Sequence, residues 1–377
     1  MIAVGFRRAA LLALTALATV ASTAREARAG DMDPVTERFV QQPPNLPGGQ
    51  TCQSLAASPG ALVAQGLRPQ DFPCRPDHHS FQNMVSELGF AIAPSAFYPA
   101  RTTGIGGFQI GVEMSFTRIS TGKVARDTGG TENYWKLGTR GAVDPNTKAY
   151  TDVGGNKEPD GILQIYSLKA RKGLPYGFEL VGSVGYIANT TLWVGGGDLR
   201  WSLMEGFRTG ALGLLPDVSV GGGVRTLAGT SKFYLTTVGI DVKISKPITL
   251  ADAAVLTPTF GYQRVLVFGD STVIDATPSV DALQQCGYEG PDPNTGAPRC
   301  RNKLSNGQEA STDFQNTFTF RRVRAHRNRG LIGLNYRYEL VWLGSQIAFD
   351  LNDPSDENDF IVGKRQWTLS FEAGVAF

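Results

Sequence analysis

From Gly106 onward the chain alternates apolar and polar residues with a period of two. Phe108, Ile110, Val112, Met114 and Phe116 share one parity, and Gln109, Gly111, Glu113, Ser115 and Thr117 the other. Strict alternation of this length predicts a strand with one apolar face. The pattern recurs in Phe178, Leu180, Val184 and Tyr186 against Glu179, Ser183 and Gly185, and in Val238, Ile240, Val242 and Ile244 against Thr237, Gly239, Asp241 and Lys243. Farther on, Ile332, Leu334, Tyr336, Tyr338, Leu340 and Trp342 oppose Gly333, Asn335, Arg337 and Glu339. The final segment sets Trp367, Leu369, Phe371, Val375 and Phe377 against Thr368, Ser370, Glu372 and Gly374. Less regular strands fit near 161–171, 191–204, 217–227, 255–268 and 345–352.

Most of these segments are about 10 to 14 residues long, whereas a strand of a soluble sandwich averages about five or six. About 9–11 residues cross a bilayer at a tilt. The apolar parity is rich in aromatics, and the opposite parity is Gly, Ser, Thr and isolated charges. Apolar outside and polar inside predict an all-β fold: a transmembrane antiparallel up-and-down β-barrel of about 10–12 strands behind a loop-rich N-terminal segment. If the strand at 107–118 runs outward, the long interruptions at 119–160, 269–316 and 352–364 all follow outward strands. The tight links Gly173-Leu174-Pro175 and Leu343-Gly344-Ser345 then fall on the periplasmic side. Residues 87–98 offer a possible eleventh segment. Arg264, on the parity of Phe260, Tyr262 and Leu266, marks a place where a bulge would reverse the register.

Composition agrees with the strand pattern. Gly contributes 45 of 377 residues and charged residues only 19%, the latter below the roughly 25% of soluble proteins. The formal charge of +2 is too small to point to a nucleic-acid partner. At the start, Arg7 and Arg8 precede an apolar run from Ala9 to Ala21, and Ala27-Arg28-Ala29 supplies small residues at a cleavage position. This is the pattern of a secretory signal peptide over residues 1–29. Its removal takes away four Arg and one Glu and leaves 32 basic against 33 acidic residues. Residues 30–86 then form an N-terminal periplasmic or plug segment, and 87–377 the barrel.

Terminal Phe377, with Trp367, Leu369, Phe371 and Val375 on one parity, resembles the C-terminal signal of Gram-negative outer-membrane β-barrel proteins of the porin-like kind. The resemblance implies recognition by the barrel assembly machinery, outer-membrane localisation, and a surround of outer-membrane lipid and lipopolysaccharide. A shorter likeness lies in Pro94-Ser95-Ala96-Phe97-Tyr98-Pro99-Ala100, which is similar to the Asn-Pro-Ala segment of long-chain fatty acid transporters, with Tyr98 where that family has Asn.

The candidate site is the barrel interior. Glu113, Glu179, Asp241, Lys243, Asn335, Arg337, Glu339 and Glu372 all fall on the polar parity and are the expected pore lining. Either they tune which small solutes pass, or opposite charges pair across a closed lumen. An Arg run (Arg321, Arg322, Arg324, Arg327, Arg329) near His326 is read as a solvated strand extension, with lipopolysaccharide phosphate as the alternative ligand. Asp350, Asp353, Asp356, Glu357 and Asp359, and separately Asp292 and Asn294, are read as turn residues rather than a metal site, since Lys303 stands where a calcium loop ends in Glu. Cys52 with Cys74 and Cys286 with Cys300 are expected to form disulfides in an oxidising compartment; His78 and His79 beside Cys74 are the weaker, metal-binding alternative. No nucleophile, zinc-protease or dinucleotide motif is present, so neither catalysis nor a cofactor is expected. The first functional expectation is a passive channel or uptake porin for small solutes. The alternative is a non-conducting structural or surface-interaction barrel that acts through its loops.

Overall fold

Among the described residues, ten long strands account for the alternating segments. They are β1 (Phe108–Arg118), β2 (Ile162–Gly173), β3 (Phe178–Ile187), β4 (Trp193–Met204), β5 (Asp217–Ala228), β6 (Phe233–Ser245), β7 (Ala254–Ser271), β8 (Val323–Tyr338), β9 (Val341–Asp350) and β10 (Trp367–Ala376). Each pairs antiparallel with its sequence neighbours, and β10 returns to β1 from Thr368↔Thr117 to Ala376↔Gln109, which closes the sheet into a barrel. Phe108 and Phe377 exchange two further backbone hydrogen bonds (3.0 and 2.7 Å) at the end of that seam. Closure leaves no unpaired strand edge, the condition for a sheet to stand in lipid. The computed structural model describes residues 32–41, 75–121, 124–125, 131–141, 156–204, 215–251, 254–275, 288–296, 298–301, 317–358, 361 and 363–377. The expected signal peptide, residues 1–29, lies outside them.

The outer surface is apolar. Val112, Leu168, Leu180, Val184, Leu199, Val242, Ile332 and Leu343 all project from it without a protein neighbour to cover them. A continuous apolar belt of this extent would be a liability in water and is solvated by lipid tails. Aromatic pairs bracket the belt on the β3–β4 hairpin. Phe178 stacks on Trp201 at 5.6 Å near one end, and Tyr186 meets Trp193 at 5.3 Å near the other. Such girdles mark the two lipid interfaces. The three longest connections, 119–161, 272–322 and 351–366, all leave from one end, together with the short links 188–192 and 229–232. Long loops mark the external side, so this is a transmembrane barrel of the bacterial outer-membrane type, with β1 running outward.

The structure departs from the sequence reading at four places. Residues 78–92 form a helix, not a strand, so the segment 87–98 adds nothing to the wall. The β8–β9 hairpin turns at Glu339–Leu340, with Glu339 at φ 49°, and not at 343–345. A two-residue turn places Arg337 opposite Trp342, so Trp342 points inward and Glu339 leaves the wall altogether. Arg264 causes no slip: its ladder runs unbroken between Ile240 of β6 and Asn328 of β8. The expected disulfides are corrected as well, since no disulfide is present among the described residues. Cys52, Cys74 and Cys286 lie outside them. Cys300 is placed, with its backbone paired to Tyr288.

Val184 sits on the lipid face between the two aromatic pairs, half exposed. Val184→Arg should lower stability by roughly 2–4 kcal/mol, the cost of a cation near the membrane midplane. Val184→Leu should be neutral. Urea midpoints of the folded band in lipid vesicles report both.

Candidate functional site

The lumen is occupied by the protein's own chain. Helix α1 (His78–Ile92) starts at Asp77, whose carboxylate accepts from the Ser80 backbone N–H (3.1 Å) and hydroxyl (2.7 Å), a normal N-cap. Phe81, Met84, Val85, Leu88 and Ile92 follow at helical spacing and are all buried. The helix packs against β6, β7 and β8. Two glycines permit this approach: a methyl at Gly89 would lie 2.5 Å from Val267 Cγ1, and one at Gly269 would lie 2.5 Å from Val85 Cγ1.

Beyond Ile92 the chain extends down the axis to the periplasmic end before entering β1. Pro94 and Pro99 lack N–H groups, and this stretch belongs to no sheet, so its carbonyls need partners from elsewhere. The wall supplies them. Arg329 of β8 donates to Phe90 O (3.2 Å) and Pro94 O (2.9 Å), and Gln263 of β7 donates to Pro94 O (3.0 Å). Gln346 of β9 reaches Ser95 O (2.5 Å), and Lys243 of β6 reaches Ala96 O (3.0 Å) and Tyr98 O (3.3 Å). Arg200 of β4 donates to Pro99 O (2.5 Å), and Arg171 of β2 to Arg101 O (3.1 Å).

Three cations of this set, Arg171, Arg200 and Lys243, meet carboxylates inside the barrel, while Arg329 is held by Gln263 Oε1 (3.0 Å) beside the two carbonyls. Glu179 takes Arg171 (2.5 Å) and Arg200 (3.1 Å) and also accepts from Thr103 N (3.0 Å). Lys169 pairs with Glu113 and lies 4.0 Å from Glu372, which accepts from Tyr98 Oη (3.1 Å). Asp241 faces Lys243 at 3.3 Å, Asp198 holds Arg225 at 2.7 Å, and Asp350 holds Arg327. Tyr98 lies 4.3 Å below the Arg171 guanidinium, and Phe90 lies under both Arg327 (4.8 Å) and Arg329 (4.9 Å). Beside the segment remain a cavity of about 40 Å³ near Ser95 and Glu113 and one of about 180 Å³ at the periplasmic mouth.

The external mouth is sealed by a second layer. Residues 32–41 lie there, tied by Met32 N to Asn189 O (3.0 Å) and by Val35 N to Gly138 O (2.8 Å). Phe81 stacks on Phe320 at 4.4 Å, and Phe39 and Phe233 pack edge-on to the pair. Glu87 of α1 accepts from Tyr134 Oη (2.5 Å), Trp135 Nε1 (2.7 Å) and Ser120 N (2.9 Å), which ties the external connection 119–161 to the helix. Burial, and next the Glu87 carboxylate, raise the Tyr134 phenol well above its ordinary pKa.

Six of the eight expected lining residues (Glu113, Glu179, Asp241, Lys243, Asn335 and Glu372) lie inside and buried. Arg337 is at the exposed periplasmic rim with its Nε donating to Glu339 O (3.0 Å), and Glu339 is in the turn. The Arg run divides: Arg327 and Arg329 point inward, whereas Arg322 and Arg324 pair with Asp270 at the external rim (3.3 and 3.1 Å). Arg327 and Arg329 share the parity of Asn335, which is the signal that places them in the lumen. Lys169, Arg171, Arg200 and Arg225 sit on inward parities of the less regular strands. Asp292 accepts from the Asn294 and Thr295 N–H groups (2.7 and 3.1 Å) and so builds an ordinary turn. Asp353 pairs with Arg365 (3.1 Å). Lys303 and Asp359 lie outside the described residues.

No protein-family model and no curated protein matches the chain. Among solved structures it is similar to Ail, the attachment invasion locus protein of Yersinia pestis, at 9% identity over 72% of this chain and 99% of that one, with a TM-score of 0.23. It is also similar to the outer membrane protein OprG from Pseudomonas aeruginosa (9% identity, 74% and 99% coverage, TM-score 0.28). A third similar structure is the Ralstonia pickettii toluene transporter TbuX (11% identity, 73% and 90% coverage, TM-score 0.24).

Two outcomes follow from this geometry. Arg329→Met removes the donor to two axial carbonyls, and hydrogen bonds from charged donors contribute about 1.5–3 kcal/mol each. Amide exchange across 90–98 should accelerate at least about tenfold, while the strand amides stay protected. His78 Nδ1 accepts from Arg321 N (3.2 Å), and burial, then the Arg321 charge, lower its pKa from 6.5. The unfolded chain therefore takes up this proton first. The contribution of His78 is intact above about pH 6.5 and declines as pH falls through the folded value. Urea midpoints should drop from about pH 6.5 towards 5, and His78→Gln should flatten the part of that drop due to this group.

Proposed function

We propose that this protein is a non-conducting outer-membrane barrel that works through its external face. The observation that carries the reading is the occupied lumen: α1 and residues 93–101 fill the axis, and seven of their carbonyls are held by the wall. For ten strands the interior is between the side-chain-filled lumen of about eight and the open channel of about 16, and here a peptide segment takes up the difference. The buried ion pairs favour closure rather than solute selection, because their charges face one another and the axial segment instead of a water path. No catalytic step is assigned.

The external surface has two features for such a role. Residues 32–41, Tyr134 and Trp135 form a firm cap joined to α1, and the exposed Arg321, Arg322 and Arg324 stand at the rim. Guanidinium groups in that position suit lipopolysaccharide phosphates. On β10, Leu369, Phe371 and Val375 with Phe377 present an outward apolar row suited to the barrel assembly machinery.

Full-length protein in planar bilayers, with insertion verified by vesicle flotation and a heat-modifiable gel band, should give a flat current trace. Discrete, reproducible conductance steps from the intact chain would overturn this reading.

A further inference from the structure

The periplasmic mouth holds a cavity that the closed lumen does not explain. Its volume is about 180 Å³, somewhat larger than an engineered cavity of about 150 Å³ that admits benzene. Its floor is the foot of the axial segment, Pro99 to Thr103, and its walls come from β1, β2, β7, β8, β9 and the end of β10 with Phe377.

Two buried amides have no partner there. Asn335 is 3% exposed, yet neither its Oδ1 nor its Nδ2 is hydrogen-bonded. Gln109 is 2% exposed; its Oε1 accepts from Arg171 (3.2 Å), while its Nε2 has no acceptor. A buried polar group left unpaired is destabilising, so two such groups beside one cavity mark the cavity as a place to be filled. Arg337 lines the same space, and among the described contacts its guanidinium makes only the single bond from Nε to Glu339 O. Arg101 is nearby but engaged with Asp217 (3.2 Å). Among the described residues no Asp or Glu side chain lines the cavity, but the main-chain carboxylate of Phe377 does, with one oxygen accepting from Phe108 N. Trp342, beside Arg337 across the β8–β9 ladder, adds an apolar surface and is itself buried against Phe97 and Tyr98 at 5.7 Å.

We propose that the periplasmic mouth binds a small organic carboxylate of single-ring size. Its carboxylate takes hydrogen bonds from Arg337, Asn335 and Gln109, and its apolar body lies against Trp342. The donor set fits an anion because the Arg337 guanidinium and the two amides outnumber the one opposing carboxylate, that of Phe377. The volume and the Trp342 wall fit a ring rather than a bare inorganic ion. This site is separate from the external face and does not require conduction.

The test uses full-length folded protein in detergent, titrated with benzoate, benzamide and benzylamine and read by calorimetry and by Trp fluorescence. Benzoate should bind saturably, with the neutral amide and the cation at least about tenfold weaker. Arg337→Gln, at the exposed rim and checked by its heat-modifiable band, should weaken benzoate about tenfold. Asn335→Asp should abolish binding, and Arg324→Gln at the opposite end should leave it unchanged. Absence of saturable benzoate binding, equal affinity for all three probes, unaltered affinity in Arg337→Gln, or an equal loss in Arg324→Gln would each overturn the proposal.

Discussion

The structure depends on how the backbone carbonyls between Phe90 and Arg101 are satisfied. This stretch passes through the middle of the barrel without helix or sheet, and two of its residues are prolines. In a water-poor lumen each unpaired carbonyl would carry a desolvation penalty. Arg171, Arg200, Lys243 and Arg329, with Gln263 and Gln346, meet that need from five or more strands at once. Long side chains carrying several donors are suited to the task, since each can serve a carbonyl and a carboxylate together. The acidic residues of the lumen then have a clear role. Glu179 and Asp241 balance cations that also serve peptide oxygens, while Glu113 and Glu372 balance Lys169.

This arrangement also joins the two faces of the molecule. Glu87 collects Tyr134, Trp135 and the Ser120 backbone onto α1 at the external end, while Thr103 binds Glu179 near the periplasmic end. Between them the helix and extended segment are one continuous chain, and the barrel wall contacts it throughout. The external connections are therefore anchored to the lumen and not only to the strands from which they emerge.

Much of the wall is legible in the sequence because lipid on one side and a polar interior on the other enforce alternation. The starts of β1, β3 and β10 follow directly from Phe108, Phe178 and Trp367 and their parity partners, and the course of β6 from Val238, Ile240, Val242 and Ile244. The state of the lumen is not legible in the same way, since Glu113 or Asp241 would share that parity in an open pore or a filled one. What distinguishes the two lies outside the wall: Asp77 as a cap, followed by Phe81, Met84, Val85 and Leu88 at helical spacing. That pattern is masked by the apolar run ELGFAIA, which also fits a strand. Trp342 is inward for a different reason. The turn at Glu339–Leu340 shifts parity between two strands that otherwise read as one, and only the ladder Arg337↔Trp342 reveals it.

The path of the N-terminal chain has a mechanical consequence. Residues 32–41 rest over the external mouth with Phe39 fully seated, and Arg101 of the same chain sits at the periplasmic mouth. The segment is thus shaped like a bolt with its head outside. The head is keyed to the rim where Glu37 meets Lys232 and Asp33 accepts from Thr191 N (2.5 Å), so the N-terminal chain is fastened at both mouths of the barrel.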